Sequence, residues 1–473
     1  KLNYQDIHFP KWEKSGKKVY WSLGSSLFIS EHLSDGYSDI NDPEEIKIDL
    51  KFSRFKGDGI IAFKGCTILS MDEDLPNKGI IKNGTVIIKN DRIVKIGKDS
   101  KVKPPPGAKI INGKGMYLLP GFIDLHSHMN LDKDIHRKTL WSFMVNLAYG
   151  VTTARDPQSM DINIFTYADR VAVGDMIGPR VFTTGPGIFN NSPVNNLEDA
   201  KRIVQKYSDY YRVNTVKQYL SGNRRHRQLL NMAIQDAQLI PTTEGMDMKL
   251  MVTQIMDGYS LEHTLPHYPL YKDMIELIVQ SGTYYDPTVI VGTGPRAEYY
   301  YWTRTDVHGN KKLNHFFPHD ILDLQTRRVP WFHESEFSYK EYAKTFKNIV
   351  NAGGKIGVGS HGEMQGICYH WELWNIQSGG MSEMDALRCA TIIGSEAIGF
   401  SNDLGSIEEG KLADLILLTK NPLDDIKNTN SIKYVMKNGI LYNADSLDEV
   451  WPTIKKLPPQ YWHGKTPKHH DKY

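Results

Sequence analysis

Two histidines separated by one residue, His126 and His128, carry the strongest chemical signal in the sequence. They follow an apolar run, residues 119–125, which contains a Pro-Gly step and is typical of a strand. Side chains alternate along a strand, so residues at positions i and i+2 point to the same side. Two imidazoles on one side of a strand end can bind the same ion, and the spacing therefore predicts a metal site.

The elements around this pair alternate between strands and amphipathic helices, which predicts a parallel sheet. Eight strand candidates are 122–126, 151–155, 180–184, 215–219, 239–244, 260–264, 284–291 and 356–361. This count fits a (β/α)8 TIM-type barrel, in which active-site residues lie at the carboxyl ends of the strands. The segment between Gly292 and Pro330 is too long for an ordinary connection and is rich in Tyr, His and Arg. We interpret it as a lid or substrate-facing insertion.

The segments that flank the predicted barrel are rich in strands and turns. Residues 58–118 and 402–445 are expected to form one small β-sandwich, with the barrel at 119–401 and a mobile tail at 446–473. In residues 1–57 an aromatic residue precedes a Ser-Gly turn and a β-rich run, which resembles one blade, the last, of a TolB-type β-propeller. One blade cannot close a propeller, so we expect an upstream propeller in the same or a longer chain.

Composition excludes several classes of protein. Lys plus Arg number 57 against 55 for Asp plus Glu, a net charge of +2, which argues against a nucleic-acid partner. The sequence has no run of about 18 apolar residues, so no membrane span is predicted. Three scattered cysteines give neither a disulfide framework nor a metal knuckle. Glycine-rich phosphate-binding loops do not follow any predicted strand, so a nucleotide cofactor is not expected.

Two motifs identify a family resemblance. Residues 120–128 (PGFIDLHSH) and 405–415 (GSIEEGKLADL) resemble the amidohydrolase superfamily, in particular its imidazolonepropionase- and prolidase-like branch, and the similarity covers most of residues 58–445. The resemblance implies a metal-dependent hydrolase barrel with a flanking β-sandwich. The propeller-like start suggests the group that carries an N-terminal propeller, whose members are often exported. The resemblance therefore favours a periplasmic or extracellular location, and a cytoplasmic one is the alternative.

The resemblance also implies further metal ligands. Lys217 matches a strand-4 lysine that is often carboxylated and bridges two metal ions, and a buried lysine loses its proton more easily, which would favour this modification. The alternative is an ordinary lysine that reaches the barrel rim. His263 matches a strand-6 histidine ligand in a Glu-His pair. Alternation along the strand predicts that Glu262 points away from His263 and has a structural role.

Two positions depart from the family pattern. Where the fifth strand usually ends in a histidine, this chain has Glu244, and where the eighth usually ends in an aspartate, it has His361. One position gains a carboxylate and the other loses one, so the ligand set keeps its formal charge. We expect metal to be retained and His361 or Glu244 to act as the base in place of the aspartate. The alternative is a degenerate site that binds one ion or none.

Weaker signals indicate substrate contacts. Tyr219 shares a strand face with Lys217 and could reach a substrate carbonyl or carboxylate. Arg296, Tyr299 and His315 lie in the long insertion, where they could bind an acidic end of the substrate or simply lie on the surface.

Together these patterns predict an enzyme with two divalent ions, expected to be zinc, that activate water to cleave a C–N amide bond. The expected substrate is a small molecule: a dipeptide or imidodipeptide, an N-acyl amino acid or a cyclic amide. A homo-oligomer is compatible with the sequence. The contrasting hypothesis is a catalytically degenerate binding protein that uses the barrel as a scaffold.

Overall fold

A computed structural model describes residues 8–31, 43–129, 131, 136–159, 162–189, 193–245, 247–292 and 294–464. The strands are β1 (His8–Trp12), β2 (Lys18–Leu23), β3 (Ser26–Glu31), β4 (Glu44–Lys47), β5 (Ile60–Leu69), β6 (Ile80–Lys89), β7 (Arg92–Lys98), β8 (Lys109–Asn112), β9 (Tyr117–Pro120), β10 (Phe122–Asp124), β11 (Val151–Asp156), β12 (Arg180–Thr183), β13 (Thr215–Tyr219), β14 (Ile240–Glu244), β15 (Ser260–Glu262), β16 (Tyr284–Asp286), β17 (Lys355–Ile356), β18 (Leu415–Leu418), β19 (Ile432–Lys437), β20 (Ile440–Asn443) and β21 (Glu449–Trp451).

The helices are α1 (Trp141–Ala148), α2 (Asn163–Ala172), α3 (Leu197–Gln205), α4 (Arg224–Asp236), α5 (Met248–Met256), α6 (Lys272–Gln280), α7 (Ala297–Trp302), α8 (Lys311–Phe316), α9 (His319–Thr326), α10 (Tyr339–Asn351), α11 (Ile367–Gln377), α12 (Glu383–Cys389) and α13 (Ile392–Ala397). A π-helical turn continues α3 over Lys206–Tyr211, and short 3₁₀ turns occupy Pro76–Gly79, Val289–Val291, Glu334–Glu336 and Ile426–Asn430.

The eight strands β10–β17 are parallel and form the predicted barrel. Strands β10–β12 pair in order, as do β13–β17. Parallel bridges from Ile188 to Gln218 and from Ser127 to His361 join the two sets at both junctions and close the ring. Every residue of β11 is buried, as expected for a strand covered by helices on its outer face. The barrel predicted from the sequence is therefore confirmed.

A nine-stranded sheet flanks the barrel and draws on both ends of the chain. Strand β9, which leads into the barrel, pairs antiparallel with β18, which leaves it, with Leu415 opposite Pro120. Side chains from both halves of this sheet, such as Phe63 and Leu417, share one buried core, so the sheet folds over on itself. Strand β21 extends the sheet to Trp451, so the segment after residue 445 is not wholly the tail that the sequence indicated.

Strands β1–β4 form a separate four-stranded antiparallel sheet. Trp21 and Phe28 pack from this sheet into a core shared with Tyr207 and Val216 of the barrel layer. Four antiparallel strands are the size of one propeller blade, and the propeller resemblance stays a prediction. Among the described residues, no helix is both long enough and apolar enough to cross a membrane.

The insertion after β16 is largely helical and contains α7, α8 and α9. Its aromatic residues pack onto the barrel layer, where the ring of Tyr301 stacks on Trp371 with centroids 5.2 Å apart. The insertion is therefore packed onto α11 through a hydrophobic contact.

Candidate metal centre

Three imidazoles meet at the carboxyl ends of the first and last barrel strands. His126 and His128 follow β10, and His361 follows β17. The Nε2 atoms of His126 and His128 are 3.3 Å apart, and one nitrogen of each of the three rings lies within 4.8 Å of the others. This convergence agrees with the orientation expected from the strand alternation. Three imidazoles at this separation suit a divalent cation that accepts nitrogen ligands.

Hydrogen bonds between the strand ends fix these histidines. The buried carboxylate of Asp124 accepts hydrogen bonds from the backbone N–H of His126 and from the backbone and hydroxyl of Ser360. The backbone N–H of His361 in turn donates to the carbonyl of His126 at 2.6 Å. The first and the last strand of the barrel are therefore joined at this point.

Three further predicted ligands lie beside the histidines. The Glu244 carboxylate at the end of β14 is 3.2 Å from Nε2 of His263 and 3.0 Å from Nζ of Lys217. The His263 ring centroid lies 4.8 Å from that of His126 and 5.3 Å from that of His361. All six residues predicted as ligands are thus neighbours around one point at the barrel mouth.

Glu262 is also part of this group, and the expectation that it points away is wrong. Its carboxylate is fully buried, 2.5 Å from Nζ of Lys217, and its other oxygen accepts a hydrogen bond from Arg155. His263 has a φ of +69°, which breaks the alternation of side chains after Glu262. Both residues can therefore approach the centre, although they are adjacent in the sequence.

The protonation of the group follows from burial and charge. Burial lowers the pKa of His126 well below its ordinary value, so the imidazole is neutral and suited to ligation. Burial alone would raise the pKa of Glu244, but the hydrogen bond from His263 and the charge of Lys217 outweigh it and lower the pKa to about 2. Burial would lower the pKa of Lys217, but Glu262 and Glu244 raise it overall.

The Nδ1 atoms of the histidines face outer partners. Nδ1 of His361 is 2.8 Å from Glu363, that of His263 is 2.7 Å from Thr288, and that of His128 is 3.4 Å from Asp156. Nδ1 of His126 lies 3.6 Å from Glu262 and 3.7 Å from Asp286. A partner on Nδ1 fixes the ring and its tautomer and leaves Nε2 available to an ion.

The residues predicted to contact substrate are spread more widely. Tyr219 lies at the centre, with Nζ of Lys217 4.3 Å from its ring centroid. Arg296 is near it but already paired with Glu298 and Glu363, and Tyr299 stacks on Phe332.

His315 does not face the centre. Its ring is 4.7 Å from that of His463, and its backbone carbonyl accepts hydrogen bonds from Trp462 and His463. The contacts of α8 with the C-terminal segment favour the alternative role for His315, and a substrate contact there stays a prediction.

Several residues of the centre were not found by sequence reasoning. Glu262, Asp286 and Glu363 are carboxylates at or just beyond the ends of barrel strands, and that position is itself a signal of function. Asp286 is fully buried, which raises its pKa well above the ordinary value. His370 bonds to Thr429 and to the carbonyl of Tyr149 and packs in the core, so it is not part of the centre.

Comparisons with known proteins agree with this fold. The model of the amidohydrolase family matches residues 117–441. A 5'-deoxyadenosine deaminase of Methanobrevibacter smithii is 22% identical over 413 residues, which are 77% of this chain and 86% of that protein. The structure of a Xaa-Pro dipeptidase with bound methionine is 21% identical with a TM-score of 0.62, over 81% of this chain and all of the other. Molinate hydrolase is 17% identical with a TM-score of 0.64, over 86% and 99%.

The family match and the closed barrel with convergent histidines at its mouth define the class of the protein. The chain belongs to the amidohydrolase family.

Proposed function

We propose that the chain is a metal-dependent hydrolase that cleaves a C–N amide bond in a small molecule. The observation that carries this proposal is the meeting of His126, His128 and His361 at the carboxyl end of the barrel. Family membership supports hydrolysis, and the three imidazoles support the use of a metal ion.

The donor set fits a divalent ion such as zinc. His126, His128 and His361 would hold it, and Glu244 and His263 lie close enough to one another to complete a second position. A bound divalent ion supplies polarisation of a carbonyl and acidification of a water molecule. The protein contributes a neutral imidazole at His126 and fixes the rings of His361 and His263 through their Nδ1 partners Glu363 and Thr288.

Proton transfer is proposed for His361 or Glu244. Glu244 is ionised and could accept a proton at its carboxylate, but its low pKa makes it a weak base. Nε2 of His361 can accept a proton only when it does not bind the ion, and the Glu363 carboxylate on Nδ1 would then stabilise the imidazolium. With His361 bound to the ion, Glu244 is the base.

The two-ion arrangement with a carboxylated Lys217 stays a prediction. In the structure the Lys217 ammonium lies between Glu262 and Glu244, and Arg155 is the other cation on Glu262. A carbamate at this position would add a negative charge beside two carboxylates, so a bridging second ion would have to offset that repulsion.

Aromatic residues at the mouth suit a substrate with an apolar or flat group. The rings of Tyr219 and Phe189 stack with centroids 4.8 Å apart, and Phe189 is 39% exposed. Arg296 is paired twice, so it is a poor clamp for a substrate carboxylate. The similarity to a Xaa-Pro dipeptidase supports a dipeptide substrate.

A panel of imidodipeptides, N-acyl aromatic amino acids and cyclic amides tests the proposal. We expect hydrolysis that is lost on chelation, restored by zinc and abolished in His126→Ala and His128→Ala. His226→Ala, on the outside of the barrel at α4, is the matched control and should keep full activity. Metal binding without hydrolysis of any member of the panel would favour the binding-protein alternative.

A further inference from the structure

Glu363 stands two residues beyond His361 and is held by the insertion at two points. Nη2 of Arg296, just before α7, is 2.6 Å from Oε1 of Glu363. The side-chain amide of Gln325, in α9, donates a hydrogen bond to the backbone carbonyl of Glu363 at 2.9 Å. The insertion therefore grips both the side chain and the backbone of this residue.

The same carboxylate oxygen reaches the candidate ligand. Oε1 of Glu363 is 2.8 Å from Nδ1 of His361. Arg296 is itself fixed by Glu298, a buried carboxylate 3.0 Å from its Nε. A chain of contacts thus runs from Glu298 through Arg296 and Glu363 to the His361 ring.

His361 needs such support because of its backbone. Its φ is +61°, a left-handed conformation that costs free energy in a residue with a β-carbon. The backbone N–H is fixed to the carbonyl of His126, but that bond does not set the rotation of the ring. The orientation of the imidazole therefore depends on the partner of Nδ1.

We propose that Glu363 is a positioning residue that holds His361 with its proton on Nδ1 and Nε2 toward the centre, and that Arg296 and Gln325 make the insertion a structural part of that centre. This inference deepens the proposed function and rests on it for the role of the ion. It assigns Arg296 to the support of His361 in place of the substrate contact expected from the sequence. A carboxylate on the outer nitrogen of a ligand histidine commonly changes metal affinity by about 10- to 100-fold.

The test uses the full chain in two states. In metal-free protein, long-range ¹H–¹⁵N NMR of the imidazoles reports the tautomer of His361, with His361→Gln identifying its signals. In a second series, chelator competition gives the Co²⁺ affinity, and the visible Co²⁺ spectrum reports the ligand geometry. The variants are Glu363→Ala, Glu363→Gln, Arg296→Met and Arg296→Lys. Arg224→Met removes a comparable pair, Arg224 with Asp257, on the barrel exterior and is the control.

The inference predicts the Nδ1–H tautomer in the wild-type protein and its loss in Glu363→Ala. We expect Co²⁺ affinity to fall about 10- to 100-fold in Glu363→Ala, with an altered spectrum, and less in Arg296→Met. Arg296→Lys should lose less Co²⁺ affinity than Arg296→Met. Arg224→Met should change neither the tautomer of His361 nor the Co²⁺ affinity. Folding of each variant is checked by circular dichroism, and Glu363→Gln, which keeps the side-chain length, serves if Glu363→Ala is unfolded.

Two results would overturn the inference: an Nε2–H tautomer of His361 in the wild type, or a folded Glu363→Ala with wild-type tautomer and affinity. A different result would contradict the proposed function without contradicting the role of Glu363. If the wild type binds no divalent ion while the tautomer still depends on Glu363, the metal role is wrong and the positioning role of Glu363 stands.

Discussion

At the scale of single residues, the centre differs from the family pattern in the position of one carboxylate ligand. The carboxylate expected after the eighth strand is replaced by His361, and a carboxylate appears at Glu244. The structure puts these two exchanged residues on one site, each close to His263. A paired exchange that keeps the ligand charge would let the centre keep an ion.

Glu244→Gln tests this exchange. The amide is a poorer ligand and removes the negative charge beside Lys217, so metal affinity or kcat/KM should fall by at least about tenfold. Metal content after dialysis and steady-state kinetics measure the two quantities. Glu276→Gln on α6, whose partner is the exposed Lys272, is the control. A variant with full metal content and full activity would remove Glu244 from the centre.

Functional residues could be predicted from the sequence where their spacing alone indicated a shared role. The strand alternation placed His126 and His128 together without any knowledge of the fold. The same rule failed at Glu262, because the left-handed backbone of His263 cannot be read from its residue type. Glu363 was missed because its partner Arg296 comes from a distant segment of the chain.

At the scale of elements, a buried ion network ties three barrel strands together. Arg155 at the end of β11 and Lys217 in β13 both pair with Glu262 at the end of β15. Arg155 also donates to the carbonyl of Leu125 beyond β10. Buried charges of this kind are costly when one partner is removed, because the others stay without compensation.

Glu262→Gln is therefore expected to lower the free energy of unfolding by about 3–5 kcal/mol. Urea titration with a chelator present separates this effect from metal binding. Glu341→Gln, an exposed carboxylate in α10 paired with Lys344, should shift stability by under about 0.5 kcal/mol. Equal stability of the two variants would show that the network is not a structural tie.

The positions of the barrel strands were predictable, but several of their carboxyl ends were not. The seventh strand was expected to reach residue 291, yet β16 stops at Asp286, because Thr288 has a left-handed backbone and Val289–Val291 form a turn. Glu372 of α11 accepts hydrogen bonds from the N–H groups of Val289 and Ile290 and fixes that turn. Tertiary partners of this kind leave no periodic signal in the sequence.

At the scale of the whole molecule, the flanking sheet and the barrel share a charged junction. Arg180 of β12 pairs with Asp414, which lies beside β18, and also contacts Asn438 after β19. The adjacent Lys437 is buried, and burial together with the charge of Arg180 lowers its pKa to about 7. Lys437 at this junction therefore loses its proton at a lower pH in the folded chain than in the unfolded chain.

This lysine predicts a pH dependence of stability. Between about pH 7 and pH 10 the unfolded chain keeps the Lys437 proton and the folded chain does not, so stability should rise with pH in this window. Lys437→Met should remove that rise, and Lys433→Met, exposed on the same strand, should retain it. Parallel slopes for the wild type and Lys437→Met in urea titrations at several pH values would contradict the assignment.

The most direct test of the whole account is the metal content of the chain, measured by elemental mass spectrometry on protein purified without chelator. We predict at least about one divalent ion per chain, lost in His126→Ala, and about two if Lys217 is carboxylated and bridges. A wild-type protein that holds no ion and regains none from added zinc would contradict the metal-dependent mechanism and leave the barrel as a binding scaffold.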